Sequence, residues 1–319
     1  MTALTVPRDV SAVRLDAWLA CSLPHCGRRR AQRAIAAGAV RVNGRPARKA
    51  SRVSAGDVVE VEGWVGAPGP LRANPDLMVS VLYEDAAVLV LDKPSGMPTH
   101  ALRAEETDTV ANFLLARYPE VSGVGKGPLE PGIVHRLDTG TSGVLLVART
   151  ADAHAALRRQ FAEQAISKEY RALVHGRVPA AGAVDVPIAP IRRSGRKMRV
   201  VRHGPGGRPA RTLFRPIEPC GDFTLLAVTI ATGVMHQIRV HLASIGHPVV
   251  GDRLYGPATP PPRVRRHLLH AYRIGFTHPV SGRRVEVTSP LPADVLAFRA
   301  TQTTAGRPEG PGRPAADPV

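Results

Sequence analysis

A stretch rich in proline and glycine, GWVGAPGPLRANPD at positions 63–76, interrupts the apolar pattern of this chain early in its length. Neither a helical nor a strand period continues through it, so one hydrophobic core cannot extend across it. We therefore expect two folded units, a small one over 12–63 and a larger one over 77–300, joined by a linker at 64–76. Residues 301–319 contain almost no large apolar side chains and are expected to form a disordered tail.

The smaller unit has the pattern of two short helices and a hairpin. The runs VRLDAWLA and RRRAQRAIAAG both show helical spacing of apolar residues, and Gly38 is expected to end the second helix. The dipeptide Asn43–Gly44 after the strand-like run AVRV predicts a tight hairpin turn, and the run GDVVEV predicts another strand.

The charge balance is strongly basic, with 43 Lys and Arg against 26 Asp and Glu and a formal net charge of +17. Such a balance favours a polyanionic partner through phosphate contacts and counterion release, so nucleic acid is the first expectation and an anionic membrane surface the second. An arginine-rich helix face in the smaller unit is either a nucleic-acid contact or simply solvated surface. The arginines expected to contact RNA there are Arg28, Arg29, Arg30 and Arg33.

The larger unit alternates strand-like and helix-like runs irregularly. Helical spacing covers residues 108–117, 151–164 and 235–245. The strand-like runs are MVSVLYED, AVLVLDK, GVLLVAR, EYRALVHGRV, FTLLAVTIA and RRVEVTS. Because the steady strand–helix alternation of a doubly wound parallel sheet is missing, we expect an α+β domain with a mixed, mostly antiparallel sheet.

The chain contains neither an apolar run long enough to span a bilayer nor the apolar core of a signal peptide near its start, so a cytoplasmic protein without membrane contact is expected. The cysteines Cys21, Cys26 and Cys220 are odd in number, and the CSLPHC segment has no second ligand pair. We expect structural or incidental cysteines, no metal site and no obligate protein partner.

One acidic side chain, Asp138, stands in the segment IVHRLDTGTSGVLLVAR at 133–149 without a second acid beside it. Glycoside hydrolysis generally uses two carboxylates, and metal-dependent phosphodiester cleavage needs a cluster of acids. Ser142 lacks the Gly-x-Ser-x-Gly elbow of a serine nucleophile. Two interpretations remain: a carboxylate that acts directly as nucleophile or base, and a plain turn or capping residue.

The motif HRLDTGTSG at 135–143 closely resembles the signature of the RluA family of pseudouridine synthases. Further blocks resemble that family in the same order, and the smaller unit resembles the RNA-binding domain first described in ribosomal protein S4. These further blocks are VLDKPSGMPTHA at 90–101, SKEYRALVHG at 167–176, HQIRVHLASIGHPVVGDRLYG at 236–256 and LLHAYRIGFTHP at 268–279. The resemblance covers roughly residues 78–295 and predicts the pseudouridine synthase fold.

The resemblance implies an enzyme that isomerises uridines in RNA to pseudouridine without a cofactor, with large-subunit ribosomal RNA as the first expectation. It implies that Asp138 is the catalytic residue, that Tyr170 lies against the target uracil and that Arg239 pairs with the aspartate. It also implies that Arg136 fills the gap left in the base stack by the extruded nucleotide. One departure is Val234, where the family commonly has an arginine.

The span 186–217 contains nine basic residues and no acidic one, which favours contact with the RNA backbone over a merely solvated loop. Single-stranded or loop RNA is the expected target, because its bases can be splayed out without melting a duplex. The members expected to bind RNA are Arg192, Arg193, Arg196 and Lys197.

Two alternatives stand beside the synthase interpretation. A non-catalytic RNA-binding or ribosome-assembly factor could keep the fold without the activity; Val234 favours it, whereas Asp138, Tyr170 and Arg239 argue against it. A nucleoside or RNA glycosidase would release free uracil and leave abasic sugars. Isomerisation does not change the mass of the product, so mass distinguishes the two enzymes.

Overall fold

The computed structural model describes residues 1–23, 26–63, 71–191, 197–202 and 206–305, with the side chains of residue 29 and residues 303–305 excepted. The chain divides into two compact units, Met1–Pro70 and Leu71–Val319. Among the described residues, no helix is long and apolar enough to cross a membrane.

The smaller unit combines two helices with short antiparallel strands. Strands β1, β6, β3 and β4 form one sheet in that order, and β2 pairs with β5. The bounds of these elements are β1 Thr2–Thr5, β2 Val13–Arg14, α1 Leu15–Ser22, α2 Arg28–Ala36, β3 Val40–Val42, β4 Arg45–Pro46, β5 Arg52–Val53 and β6 Val58–Val61.

The predicted turn of the smaller unit joins β3 to β4. Asn43 has φ 49° and Gly44 has φ 76°, the pair of positive angles that a two-residue type I′ hairpin requires. Leu15 and Leu19 of α1 pack with Val59 and Val61 of β6 in the core of this unit. The unit begins earlier than predicted, because β1 lies before residue 12 and pairs along its length with β6.

The larger unit is built on one sheet, which contains nine strands in the described part of the chain. Its order is β11, β14, β15, β10, β16, β9, β8, β7, and β17 also pairs with β16. The bounds of the strands are β7 Ser80–Glu84, β8 Val88–Lys93, β9 Ser142–Ala148, β10 Ser167–His175, β11 Gly182–Asp185, β12 Ile188–Pro190, β13 Met198–Val200, β14 Arg211–Cys220, β15 Phe223–Ile230, β16 Leu269–Thr277 and β17 Arg284–Thr288.

The pairing within this sheet is antiparallel except between β9 and β16, where Ser142 and His270 are partners in a parallel arrangement. Strands β12 and β13 form a separate two-stranded ribbon. The helices are α3 Val110–Arg117, a 3₁₀ turn Pro119–Val121, α4 Ala151–Ala162, α5 Gln237–Ser244 and α6 Ala293–Ala305. The expectation of an α+β domain with a mixed, mostly antiparallel sheet is confirmed.

Strand β10 shows how the sheet presents two faces. Tyr170, Ala172 and Val174 alternate along it and belong to the main core, whereas Leu173 between them packs with Phe298 of α6 in a second cluster. Successive side chains of a strand point to opposite faces, so α6 covers the face away from the main core. Tyr170 therefore lies on the same face as that core.

Two predicted boundaries of the larger unit are wrong. Residues 71–76 are not linker, because Leu71 is buried against Ala101 and Ala111. Helix α6 continues to residue 305, so the predicted tail does not begin at 301, and residues 306–319 lie outside the described part of the chain. In its described residues, the basic span 186–217 contains β12, β13 and the start of β14.

Candidate active site

Asp138 lies in the loop that leads into β9, and its side chain is 20% exposed. The backbone N–H of Thr141 donates to the carbonyl of Asp138 at 2.9 Å and closes a turn there. The turn interpretation and the chemical interpretation of this residue are therefore compatible, because the backbone forms the turn while the carboxylate remains available.

Arg239, in α5, holds one oxygen of this carboxylate. Its Nη1 donates to Oδ2 of Asp138 at 2.8 Å. The other side of the guanidinium is bound by Asp252, which accepts from Nε at 2.6 Å and from Nη2 at 2.8 Å. Because Asp252 is fully buried and holds the arginine by two bonds, the guanidinium has a fixed orientation toward Asp138.

The protonation of Arg239 and Asp252 follows from this contact. Burial alone would lower the pKa of Arg239, but the hydrogen bonds and charges of Asp252 and Asp138 outweigh burial and raise it. Burial alone would raise the pKa of Asp252, but the hydrogen bond and charge of Arg239 lower it. Both groups are therefore charged near neutral pH, and Arg239 presents a permanent positive charge to Asp138.

Tyr170, on β10, forms part of the wall beside Asp138. Its neighbours in the sheet are Val228 of β15 and Ala271 of β16, and only 8% of its surface is exposed. Burial, with a smaller effect from the charge of Asp138, raises the pKa of its phenol. The ring is therefore neutral, with a flat face and a hydroxyl that can still donate a hydrogen bond.

A cavity of about 300 Å³ opens next to these side chains. Its size is in the range of small-molecule sites, and Asp138 is the only carboxylate among the described residues that line it. The walls mix apolar side chains with arginines and one histidine. The lining residues are Arg136, Leu137, Asp138, Thr141, Tyr170, Arg208, Ile230, Gly233, Val234, Met235, His236, Gln237, Ile238, Arg239 and Leu269.

The loop that carries Asp138 is held by two basic side chains. Lys93, which is fully buried, donates from Nζ to the carbonyls of Thr139 at 3.2 Å, Pro94 at 2.8 Å and Met97 at 2.7 Å. Arg266 donates from Nη1 to the carbonyl of Gly140 at 3.1 Å. The backbone on the C-terminal side of Asp138 is thus fixed by two side chains from distant parts of the chain.

Lys93, Arg266 and Asp252 contribute to the site, although the sequence alone did not predict them as site residues. Lys93 and Asp252 stand in blocks of the chain that resemble the synthase family, but no periodicity or spacing shows what they contact. Their partners lie far away in sequence, since Lys93 and Thr139 are 46 residues apart and Arg266 and Gly140 are 126 apart.

The residues expected to bind RNA differ in exposure and in contacts. Arg136 lines the cavity. In the smaller unit Arg33 is exposed, Arg30 is half-buried, and Arg28 pairs through Nε with the buried Asp16 at 3.2 Å. Lys197 is half-buried and directly precedes β13. The side chain of Arg29 lies outside the described part of the structure, as do the residues Arg192, Arg193 and Arg196.

Val234, the departure from the family pattern, lies in an apolar cluster with Ile188, Met198 and Val240 and is 6% exposed. This environment suits a valine and would not solvate a guanidinium there. Arg208 also lines the cavity and is exposed. Its backbone N–H donates to the carbonyl of Ile188 at 2.8 Å, and its carbonyl accepts from the N–H of Ile188 at 2.9 Å. A positive charge thus reaches the cavity from another segment.

Comparison with known proteins agrees with this geometry. The model of a family described as RNA pseudouridylate synthase matches residues 87–244, which include Asp138, Tyr170 and Arg239, and the S4 domain model matches residues 13–59. An uncharacterized RNA pseudouridine synthase of Chloroflexus aurantiacus is 43% identical over 292 residues, which cover 92% of this chain and 90% of that protein.

A ribosomal large subunit pseudouridine synthase D of Nitrosomonas europaea is 38% identical over 304 residues, which cover 92% of this chain and 86% of that protein. Among solved structures, human RNA pseudouridylate synthase domain containing 1 superposes with a TM-score of 0.55 and 28% identity, covering 70% of this chain and 95% of the human chain. The chain therefore belongs to the RNA pseudouridylate synthase family, with an S4 domain preceding its synthase domain.

Proposed function

We propose that this pseudouridine synthase acts on large-subunit ribosomal RNA and that Asp138 is its catalytic residue. The observation that carries the proposal is the carboxylate of Asp138, the one carboxylate among the described residues that line the cavity, oriented by a buried Arg239–Asp252 pair. The relatives named ribosomal large subunit pseudouridine synthase D support the choice of RNA.

The reaction breaks the bond between the uracil ring nitrogen and the sugar, turns the ring and rejoins it through a ring carbon. No atom is gained or lost, so the reaction needs no redox or group-carrying cofactor. A single carboxylate can begin it in three ways: by adding to the anomeric carbon of the sugar, by adding to the ring, or by removing a sugar proton to give a glycal. All three use an oxygen of the Asp138 carboxylate, which Arg239 orients through a hydrogen bond to Oδ2.

The detached uracil has to stay in place, and water has to be kept from the sugar. Leu137, Ile230 and Leu269 give the cavity apolar walls that discourage water. Tyr170 offers a flat ring on which uracil can stack. These side chains support a role of the cavity as a container for the base between the breaking of one bond and the making of the next.

A stacked base cannot reach such a cavity, so the target nucleotide has to be flipped out of the RNA, at a cost of a few kcal/mol. Contacts to the flanking RNA offset this cost. Arg136 and Arg208 at the cavity are our candidates for the nearest contacts, and the arginines of the S4 domain are candidates for more distant ones. In bacteria, a ribosomal substrate would place the enzyme in the cytoplasm.

The test uses unmodified large-subunit ribosomal RNA labelled with tritium at carbon five of uridine. We expect the purified protein to release tritium and to leave the mass of the unlabelled RNA unchanged. Release of free uracil with abasic sugars would instead identify a glycosidase. RNA binding without tritium release would identify a non-catalytic factor.

A further inference from the structure

The hydroxyl of Tyr255 connects the histidine of the cavity to the backbone of β13. It accepts a hydrogen bond from the backbone N–H of Met198 at 2.8 Å and lies 2.8 Å from Nδ1 of His236. An amide N–H can only donate, so the oxygen of Tyr255 acts as the acceptor in the first contact. The single hydrogen of the phenol is then available for the second contact, toward Nδ1.

This arrangement fits one tautomer of His236. With the phenol hydrogen directed at Nδ1, the proton of the neutral imidazole resides on Nε2. Burial is the largest cause that lowers the pKa of His236, and it outweighs the opposing charge of Asp138. The imidazole is therefore neutral near neutral pH and carries one N–H, on the side away from Tyr255.

That N–H is directed to the reaction site. Nε2 of His236 lies 3.8 Å from Oδ2 of Asp138, which is too long for a hydrogen bond, and Oδ2 already accepts from Arg239 at 2.8 Å. Within the described residues, Nε2 has no hydrogen-bond partner, and Oδ1 of Asp138 accepts no hydrogen bond. In the described part of the chain, the cavity thus holds a donor and a carboxylate oxygen that have no hydrogen-bond partner.

The backbone of His236 has an uncommon conformation. Its φ of 57° lies in the left-handed region, which residues other than glycine adopt uncommonly. Its ring packs edge-on against Tyr255, with centroids 5.7 Å apart and an interplanar angle of 77°. The guanidinium of Arg239 lies 5.3 Å from the centroid of the same tyrosine ring. The ring of Tyr255 therefore packs against two hydrogen-bond donors near Asp138, the cationic Arg239 and the neutral His236.

We propose that His236 donates a hydrogen bond from its neutral Nε2–H to an oxygen of the target nucleoside, and that Tyr255 is the positioning residue that fixes this tautomer. The inference rests on the proposed function and assigns two further residues to it. It also makes Oδ1 the reacting oxygen of Asp138, because Oδ2 is held by Arg239.

The first test is Tyr255→Phe, which keeps the ring and removes the hydroxyl. Without the phenol, the proton of His236 can reside on either nitrogen. We expect kcat for tritium release to fall about tenfold, the effect of losing one hydrogen bond in the transition state, with KM for RNA unchanged. The matched control is Tyr83→Phe, which removes a 2.7 Å hydrogen bond to Asp85 outside the cavity and should leave kcat unchanged.

The second test compares His236→Gln with His236→Leu. Glutamine can place an N–H near the position of Nε2, whereas leucine fills the space without a donor. We expect the glutamine variant to retain about tenfold more activity than the leucine variant at equal thermal stability. Because this comparison does not involve Tyr255, it decides the inference even if Tyr255→Phe folds poorly.

An unchanged kcat in a folded Tyr255→Phe protein, or equal activity of the glutamine and leucine variants, would overturn the inference and leave the proposed function intact. Lack of tritium release by the unaltered protein would overturn the proposed function, and the inference with it.

Discussion

At the scale of single residues, the surroundings of Asp138 decide what its carboxylate can do. Arg239 would be a mobile side chain if Asp252 did not bind its far side at 2.6 and 2.8 Å. Asp252 touches neither the cavity nor Asp138, yet it determines where the positive charge of Arg239 lies. The orientation of the site thus depends on a residue that is not among those lining the cavity.

The replacement Asp252→Ala tests this dependence. It leaves Arg239 buried without its bidentate partner, and breaking a buried pair in this way costs about 3–5 kcal/mol. We expect a loss of that size in the free energy of unfolding, measured with denaturant, together with a lower kcat. The exposed pair of Asp185 with Arg211, at 3.7 Å, provides the control, since Asp185→Ala should cost less than about 1 kcal/mol.

Lys93 predicts a pH dependence of stability. Burial, and next the charge of Arg266, lower the pKa of Lys93 to about 7. An unfolded lysine titrates at about 10.4, so between these two pH values the unfolded chain binds more protons than the folded one. The contribution of Lys93 to the free energy of unfolding therefore rises as pH increases from about 7 to about 10.

The measurement compares denaturant unfolding at pH 7 and pH 9 for the unaltered chain and for Lys93→Met. We expect the variant to be less stable overall, because three carbonyls lose their donor, and to gain less stability with rising pH. Lys126→Met, at an exposed position, should keep the full pH dependence. An identical pH dependence in Lys93→Met would contradict the assignment to Lys93.

At the scale of elements, local pattern predicted the strands that are rich in aliphatic residues and missed those that are not. The runs that became β8, β9 and β15 are continuous aliphatic segments. Strand β14 was missed because it contains Pro216 and Pro219 and alternates with charged residues. Strand β14 pairs with β15 with a register shift after Pro216. This pairing with a neighbouring strand is not visible in the local sequence of β14.

The candidate site was predictable from sequence only in part. Asp138, Tyr170 and Arg239 were proposed from family resemblance, since elimination alone left Asp138 open between a turn and a catalytic role. Residues whose role depends on a distant partner, such as Lys93 and Asp252, have no short-range signature. Their contacts exist only after the loop before β9, helix α5 and the loop before β16 have come together.

The segment between β13 and β14 brings Arg208 to the cavity, and Arg208→Ala tests whether it contacts a phosphate. Each neutralised phosphate contributes about 0.7–0.9 to the slope of the logarithm of the RNA-binding constant against the logarithm of the salt concentration. We expect Arg208→Ala to weaken RNA binding and to reduce this slope by about 1, with kcat at saturating RNA little changed. Arg283→Ala, at an exposed turn away from the cavity, is the control. An unchanged slope would exclude a phosphate contact at Arg208.

At the scale of the whole molecule, RNA binding and chemistry are assigned to different features. The formal charge of +17 provides long-range attraction to a polyanion, and basic residues occur in both compact units. The synthase unit contains the single-carboxylate cavity. Binding should therefore survive changes that stop the reaction, because removing one carboxylate slightly increases the positive charge of the protein.

The most direct test of a catalytic Asp138 is tritium release from uridine-labelled ribosomal RNA by the full chain and by its Asp138→Asn variant, with RNA affinity measured in parallel. A catalytic role of Asp138 predicts that the variant folds, binds RNA as tightly as the unaltered chain, and is slower by a factor of about 10³ or more. Turnover by a folded Asp138→Asn protein at a rate close to that of the unaltered chain would contradict it.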